Sequence, residues 1–214
     1  MSRGSGGGAR GLFLAFEGIE GCGKSTQIER LVAFLARRGR SSLVSREPGG
    51  TPLGEALRAL LLDPAGRDLD GLTELFLLEA ARRAHVERVI RPALRGGRVV
   101  VADRFADSSV AYQGGGRGLD VALVERLNEL ATGGLAPDLT LLLDLEVEVG
   151  LSRVARRERR RDRMERERVE FHHRVREAYR ALAARRGDRY RLLDASLPAD
   201  ALALEIEACV GPLL

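Results

Sequence analysis

The segment that most constrains this chain is residues 18–25, Gly-Ile-Glu-Gly-Cys-Gly-Lys-Ser. Its glycines let the backbone adopt positive φ and approach an anion closely, so that successive amides can point into one cavity. At its end, Lys24 would reach the β and γ phosphates of a nucleotide, and the Ser25 hydroxyl would hold magnesium. The spacing of Gly18, Gly23, Lys24 and Ser25 therefore predicts a phosphate-binding loop.

The flanks of this loop supply the strand and the helix that it needs. Residues 12–16 are apolar, as in a buried parallel strand, and residues 25–35 carry apolar side chains at helical spacing. The start of that helix would add free amides and partial positive charge to the phosphate site. Of the 35 lysine and arginine residues, Lys24 is the one lysine. It lies in the predicted phosphate loop, where the compact charge of an ammonium group is required rather than a planar guanidinium group.

Composition indicates one α/β domain. The chain has 214 residues, of which 44% are hydrophobic and 31% charged, enough to bury roughly 70% of its unfolded surface. We predict a mobile tail over residues 1–10, rich in glycine, serine and arginine, and a single domain over residues 11–214. Because Cys22 and Cys209 have no paired spacing, the sequence predicts neither a disulfide framework nor a zinc site, and a cytoplasmic location is expected.

Charge and hydropathy narrow the choice of partners. The net charge is +4, yet the 31 acidic residues are interleaved with the basic ones. This pattern favours small anionic ligands over nucleic acid. No apolar run in the sequence approaches membrane-spanning length, so we expect no membrane partner.

Short apolar segments alternate with helical ones along the chain. The predicted strands are residues 12–16, 41–45, 98–102, 139–144 and 190–194. The predicted helices are residues 25–35, 53–62, 72–94, 120–130 and 199–210, with a charged helical stretch within residues 147–186. Strands joined by helical crossovers imply a parallel sheet covered on both faces. We therefore predict a P-loop NTP hydrolase-like three-layer α/β fold with a five-stranded parallel sheet.

Polar residues follow two of the predicted strands. Arg46 and Glu47 follow the second strand, and Asp103 and Arg104 end the third. In open α/β sheets ligands gather beyond the carboxyl ends of the strands, so these residues would stand beside the phosphate loop. An aspartate at this position can hold the magnesium shell, and Asp144 is the alternative to Asp103 for that role. An arginine next to the aspartate suits an enzyme that binds a second anion.

Two arginine features leave alternatives open. Arg82 lies on an otherwise apolar helix face and needs a partner, which could be Glu79, Glu87 or a ligand. Residues 153–168 contain nine arginines and four acidic residues. This segment could be a solvated helix, an RNA-binding stripe or a lid that closes over a nucleoside triphosphate.

Several segments together resemble the thymidylate kinase family. They are residues 16–27, 46–51, 103–105, 108–114, 137–140 and 162–165. The phosphate loop alone is shared by many families, but the ordered set is specific to this one. The resemblance implies transfer of the ATP γ-phosphoryl group to dTMP, giving dTDP for dTTP synthesis, with magnesium, by a cytoplasmic homodimer.

The resemblance also implies a set of site residues. ATP would be bound by Gly18, Ile19, Glu20, Gly21, Cys22, Gly23, Lys24, Ser25 and Thr26. dTMP would be bound by Glu20, Arg46, Leu78, Arg82, Arg104, Ser109, Tyr112, Gln113, Asp162 and Glu165. The catalytic set would be Lys24, Asp103, Arg104 and Arg159, and the magnesium ligands would be Ser25 and Asp103.

Within this set the resemblance assigns separate roles to the two ends of dTMP. Arg46 and Arg104 would hold the acceptor phosphate, and Arg82 would face the carbonyl edge of thymine. The chain departs from the family at Leu78, since an aromatic residue often stacks on the base there, and Phe76 lies nearby in the sequence.

A lid near residues 153–168 is implied as well. Bacterial members of the family place an arginine in the lid rather than in the phosphate loop, and residues 19–22 of this chain contain none. We select Arg159 for that role, and Asp162 and Glu165 would close over the acceptor.

The chemistry implied by the resemblance needs no general base, because the acceptor phosphate is already anionic at neutral pH. The protein has to align two polyanions and neutralise the charge that spreads over the transferred group. Two other functions stay open: a kinase for another nucleoside monophosphate, and an RNA-binding P-loop NTPase that uses the arginine-rich segment, whose binding would depend steeply on salt.

Overall fold

A parallel sheet built from buried apolar strands forms the centre of the protein. The computed structural model describes residues 11–64, 69–156 and 162–214. The strands are β1 (Leu12–Glu17), β2 (Ser42–Arg46), β3 (Val99–Asp103), β4 (Leu139–Asp144) and β5 (Tyr190–Asp194). They pair in parallel in the order β2-β3-β1-β4-β5. The predicted strands are confirmed, with bounds that differ by at most one residue.

Helices connect the strands as the alternating pattern predicts. They are α1 (Lys24–Arg37), α2 (Pro52–Leu62), α3 (Gly71–His85), α4 (Arg91–Arg95), α5 (Ala106–Ser109), α6 (Val121–Thr132), α7 (Val147–Ala155), α8 (Val169–Arg186) and α9 (Ala199–Val210). Within the described residues, no helix is both long enough and apolar enough to cross a membrane.

Two predicted helices are interrupted. The helix expected over residues 72–94 changes pitch in a π-helical turn, Val86–Ile90, just before Pro92, which lacks a backbone donor. The described part of the arginine-rich segment is not a continuous solvated helix, because α7 ends at Ala155 and a short 3-10 turn, Met164–Arg166, precedes α8.

Alternate residues of β1 belong to two different hydrophobic clusters. Leu14 and Phe16 share one cluster with residues of α1 and α9, whereas Phe13 and Ala15 share the other with the π-helical turn and α4. Because side chains alternate across a strand, helices cover both faces of the sheet. This is the three-layer arrangement that the sequence predicts.

The register of the sheet brings three functional loops to one edge. Asp103, the last residue of β3, pairs with Phe16 of β1 and with Arg46 of β2. The phosphate loop after β1, the turn after β2 and the residues after β3 therefore open onto the same carboxyl edge, where open α/β sheets bind ligands.

Candidate active site

A cavity of about 300 Å³ opens at the carboxyl edge of the sheet. It brings together most of the residues that the sequence predicts for the site. These are Glu20, Gly21, Gly23, Lys24, Ser25, Thr26, Arg46, Leu78, Arg82, Asp103, Arg104, Ser109, Tyr112, Gln113, Asp162 and Glu165.

Three of the predicted residues in the described part of the chain do not line this cavity. Gly18, Ile19 and Cys22 belong to the loop, but the Ile19 and Cys22 side chains are buried in the core beneath it, which leaves their backbone as the part a phosphate can reach. Arg159 lies outside the described residues.

The phosphate loop has the backbone that its glycines predict. Gly18, Gly21 and Gly23 have φ values of 135°, 75° and 93°. Lys24 begins α1, and its Nζ donates hydrogen bonds to the carbonyl oxygens of Gly18 and Ile19, at 3.0 and 3.1 Å. The ammonium group is therefore folded over its own loop, among acceptors that an anionic phosphate would replace.

Arg104 is held in the cavity wall by four polar groups. Its Nη2 donates to Glu20 Oε1 at 3.1 Å and to the Tyr112 hydroxyl at 2.8 Å. Its Nη1 donates to Ser108 Oγ at 3.3 Å and to the Tyr179 hydroxyl at 3.1 Å. Arg104 is also the one non-glycine residue with positive φ in the described part of the chain, 71°, a strained backbone that functional sites often retain.

Glu20 connects the phosphate loop with this arginine. Its carboxylate accepts a hydrogen bond from the Tyr112 hydroxyl at 2.6 Å, and its Oε2 lies 3.3 Å from His172 Nδ1. Burial alone would raise the pKa of Glu20, but the contact with His172 and the charges of Arg104 and Lys24 hold it well below its usual range. Glu20 is therefore an anion that pairs with Arg104 and feels the charge of Lys24.

Arg82 has both a structural and a cavity-facing role. It is only 2% exposed and pairs with Glu47 at 2.7 Å and with Glu79 at 2.5 Å, and it also lines the cavity. Glu79 is therefore the partner that the helix supplies. Glu87 is not, because it pairs with two arginines on the protein surface, Arg83 at 3.0 Å and Arg91 at 3.2 Å.

The two candidate aspartates occupy different environments. Asp103 lines the cavity, and its Oδ1 is buried without a hydrogen-bond partner among the described residues. Asp144 lies away from the cavity lining and is paired with Arg176 at 2.8 Å and Arg180 at 3.3 Å. An orphaned carboxylate oxygen suits a hard cation, and Ser25 lines the same cavity, so the donor set fits magnesium at Asp103 and not at Asp144.

Leu78 and Phe76 differ in their position relative to the cavity. Leu78 is among the lining residues, whereas Phe76 is not and is 53% exposed. Gln113 lines the same cavity, and its amide contacts the buried carboxylate of Glu74.

Sequence reasoning missed several residues that build this site. Beneath Arg104, the fully buried Glu17 accepts hydrogen bonds from Ser108 Oγ at 2.6 Å and from the Tyr179 hydroxyl at 2.7 Å. Burial raises the pKa of Glu17 to about 7. The signal that could have found it is an acidic residue at the end of an otherwise apolar strand.

Several known proteins that are similar to this chain are thymidylate kinases. A family profile described as thymidylate kinase matches residues 16–206. A thymidylate kinase from Solidesulfovibrio magneticus is 50% identical over 209 residues, which cover 95% of this chain and 100% of the relative. One from Halothermothrix orenii is 52% identical over 200 residues, which cover 92% of this chain and 95% of the relative.

A solved structure agrees with these relatives. The crystal structure of thymidylate kinase from Ehrlichia chaffeensis matches with a TM-score of 0.76 at 32% identity, covering 94% of this chain and 99% of that one. The chain therefore belongs to the thymidylate kinase family.

Proposed function

We propose that this protein transfers the γ-phosphoryl group of ATP to dTMP, giving dTDP for the synthesis of dTTP. The observation that carries the proposal is a single cavity with a phosphate loop at one side and a second set of cationic groups beside it. Lys24 stands on the loop side, and Arg46 and Arg104 stand at the ends of neighbouring strands. Such an arrangement suits two polyanions held side by side, as phosphoryl transfer between nucleotides requires.

ATP would bind through the loop amides and the free N-terminus of α1. The Lys24 ammonium would exchange its contacts with the Gly18 and Ile19 carbonyl oxygens for the β and γ phosphates. Arg159, in the lid near residues 153–168, would add positive charge at the transferred group. We propose one nucleoside monophosphate kinase domain over residues 11–214 that includes this lid.

The acceptor would be held at both of its ends. Arg104, fixed by its four partners, and Arg46 would bind the dTMP phosphate. Arg82, Ser109 and Gln113 would face the polar edge of the base, and Leu78 would pack on its ring. Tyr112 would fill the space that a ribose 2′-hydroxyl needs, which favours a deoxynucleotide.

Asp103 and Ser25 would hold magnesium at the junction of the two substrates. Held there, magnesium would supply positive charge that offsets the negative charge developing on the phosphate oxygens. Within the described residues, no group of three or more His, Cys, Asp or Glu side chains could hold a metal ion by itself. This fits magnesium, which usually combines few protein ligands with substrate phosphates and water.

We also propose a cytoplasmic homodimer. Both Cys22 and Cys209 are free thiols, as is usual for proteins of a reducing compartment. The outer surface of α3 and α6 exposes large apolar side chains, among them Phe76 and Leu130, that a second copy of the chain would cover.

No observation favours the RNA-binding alternative. In the described part of the arginine-rich segment, Arg163 and Arg166 donate hydrogen bonds to the carbonyl oxygens of Leu61 and Pro64, at 2.8 and 3.1 Å. These two arginines are therefore engaged within the protein.

The tests of the proposed function are phosphate transfer from ATP to a panel of deoxy- and ribonucleoside monophosphates, and a titration with RNA. dTMP as the best acceptor supports the proposal, and ATPase stimulation by RNA contradicts it.

Two substitutions test the assigned cations. We expect Lys24→Ala and Arg104→Ala to lower kcat by about 100-fold to 1,000-fold, because each removes a charge aimed at the transferred group. Arg126→Ala is the matched control, since Arg126 is 65% exposed on α6. Circular dichroism would establish that the variants fold, and near-normal turnover in a folded Lys24 or Arg104 variant would refute the assigned role.

A further inference from the structure

Glu74 is a buried acid that joins three separate parts of the chain. It lies on α3 and is 1% exposed. Its Oε1 accepts a hydrogen bond from Gln113 Nε2 at 2.5 Å, and its Oε2 accepts from Arg163 and, at 3.3 Å, from Arg117 Nη2. The two guanidinium groups compensate its charge, which is the condition for keeping a carboxylate buried.

The carboxylate determines which way the Gln113 amide faces. An ionised carboxylate only accepts hydrogen bonds, so the group that contacts it has to be the NH2 of the amide. The remaining amide atom, Oε1, is buried and has no hydrogen-bond partner among the described residues. Gln113 lines the cavity, and a donor on a bound ligand would satisfy this acceptor.

Glu74 also anchors the described end of the arginine-rich segment. Arg163, which pairs with Glu74, donates from Nε to the Leu61 carbonyl oxygen at 2.8 Å. On either side of it, Asp162 and Glu165 line the cavity and are joined by hydrogen bonds of 3.0 and 2.9 Å. The Glu74 carboxylate therefore contacts both Gln113, in the cavity lining, and Arg163, in the segment that contains Asp162 and Glu165.

We propose that Glu74 is a positioning residue for pyrimidine selectivity. It fixes the Gln113 amide so that the amide carbonyl oxygen meets a ring N–H of the base. The pair between Glu74 and Arg163 holds residues 162–165 beside the same ligand. The proposal rests on the proposed function, because it requires dTMP in the cavity. Thymine has a hydrogen at ring position N3 and would donate to Gln113 Oε1. Cytosine has a lone pair there, so two acceptors would face each other, which disfavours dCMP.

The test is Glu74→Gln, which preserves size. Because Arg117 and Arg163 donate to one side of residue 74, the new amide would turn its carbonyl to them and its NH2 to Gln113, so the Gln113 amide would have to reverse. We expect kcat/KM for dTMP to fall about tenfold, the effect of roughly one hydrogen bond, through a higher KM. Turnover of dCMP should not fall with it, so the ratio of dTMP to dCMP should decrease. The KM for ATP should stay near the wild-type value, whereas a general structural defect would change the KM for ATP as well.

Two further variants separate positioning from folding. Glu74→Asp retains the negative charge, but its side chain is one methylene shorter and cannot reach both the two guanidinium groups and Gln113. We expect the same loss of selectivity from it. Glu87→Gln, on the protein surface, is the control and should leave the ratio unchanged. In a Gln113→Leu background, Glu74→Gln should cause no additional change in the ratio, because the two residues act as one unit.

The outcomes distinguish this inference from the proposed function. If the wild type phosphorylates dTMP and folded Glu74 variants retain its selectivity, or if Glu74→Gln alters the ratio equally without Gln113, the inference is wrong and the function stands. If the wild type does not phosphorylate dTMP, the proposed function fails and the inference fails with it.

Discussion

At the scale of single residues, the charge of Arg104 is oriented by a buried acid that does not touch the cavity. Glu17 accepts hydrogen bonds from Ser108 and Tyr179, and Arg104 Nη1 donates to the same two hydroxyl groups. When Glu17 is ionised, both hydroxyl hydrogens are drawn toward it, so that both oxygens present lone pairs to the guanidinium group. Glu17 therefore acts on Arg104 without contacting it, by setting the direction of the hydrogen bonds of the Ser108 and Tyr179 hydroxyl groups.

Burial of Glu17 predicts a specific pH dependence of stability. Its pKa is raised from 4.5 to about 7, mainly by burial and against the opposing charge of Arg104. The protonated native form therefore contributes stability that is complete below about pH 4.5 and is lost as the pH rises to about 7, to the extent of roughly 3 kcal/mol.

Glu17→Gln removes this titration. We expect its free energy of unfolding to increase relative to the wild type between pH 5 and pH 8, measured by urea denaturation at both values. Other groups titrate in both proteins and cancel in the comparison. A difference that is independent of pH, or that changes in the opposite direction, would contradict burial as the dominant effect on Glu17.

At the scale of elements, the position of the phosphate loop depends on a backbone contact with α7. A Cβ atom on Gly21 would lie 2.2 Å from the Gly150 carbonyl oxygen, and one on Gly150 would lie 2.5 Å from the Glu20 carbonyl oxygen. Both distances are far below van der Waals contact, and the opposing atoms are backbone atoms that no change of rotamer can move. The two glycines therefore set the distance between the loop and the helix that follows β4.

We expect Gly150→Ala to displace the phosphate loop. Helix propensity alone would make alanine about 1 kcal/mol more favourable than glycine within α7, so a lower Tm would indicate the clash. We expect kcat/KM for ATP to decrease about tenfold or more, because a shift near 1 Å can reduce rates by about 100-fold. Gly211→Ala is the control, since a Cβ there has no neighbour within 4 Å. An unchanged Tm and an unchanged KM for ATP would show that the contact is unimportant.

At the scale of the whole molecule, α3 and α6 expose large apolar side chains on the protein surface. Leu72 and Phe76, one helical turn apart on α3, are 36% and 53% exposed, and Leu130 on α6 is 59% exposed. The helices α3 and α6 pack against each other, so these side chains belong to neighbouring elements. Because α3 also carries Leu78 and Arg82 into the cavity, the proposed dimer would buttress the helix that recognises the base.

Phe76→Glu tests the proposed dimer. We expect the wild type to have twice the 23.3 kDa chain mass in light scattering, and the variant to shift toward the monomer mass. Leu204→Glu is the matched control, because Leu204 is an exposed leucine, 67% accessible, on the distant helix α9. A wild type of monomer mass, or equal masses for Phe76→Glu and the wild type, would exclude this surface as the interface.

The sequence alone was sufficient to predict the fold and the outline of the cavity. Strands with apolar side chains on both faces fit only between two layers of helices, and the spacing of Gly18, Gly23 and Lys24 is tied to one backbone conformation. The position of Asp103 and Arg104 at the end of a β-branched strand placed them at the ligand edge, by the geometry common to parallel sheets. These are local signals, because period, spacing and backbone freedom are encoded by neighbours in the chain.

Only the tertiary structure decided which charged groups meet. Glu17 is 162 positions from Tyr179 in the chain, and Glu74 is 89 positions from Arg163, so no local pattern connects them. The same holds for Arg82, whose second carboxylate partner, Glu47, comes from the turn after β2. The hydrophobic periodicity of the sequence indicates which side chains are buried. It does not indicate which partner compensates a buried charge, because that partner is brought in by packing between distant segments. The partner in turn determines the polarity and the selectivity of the site.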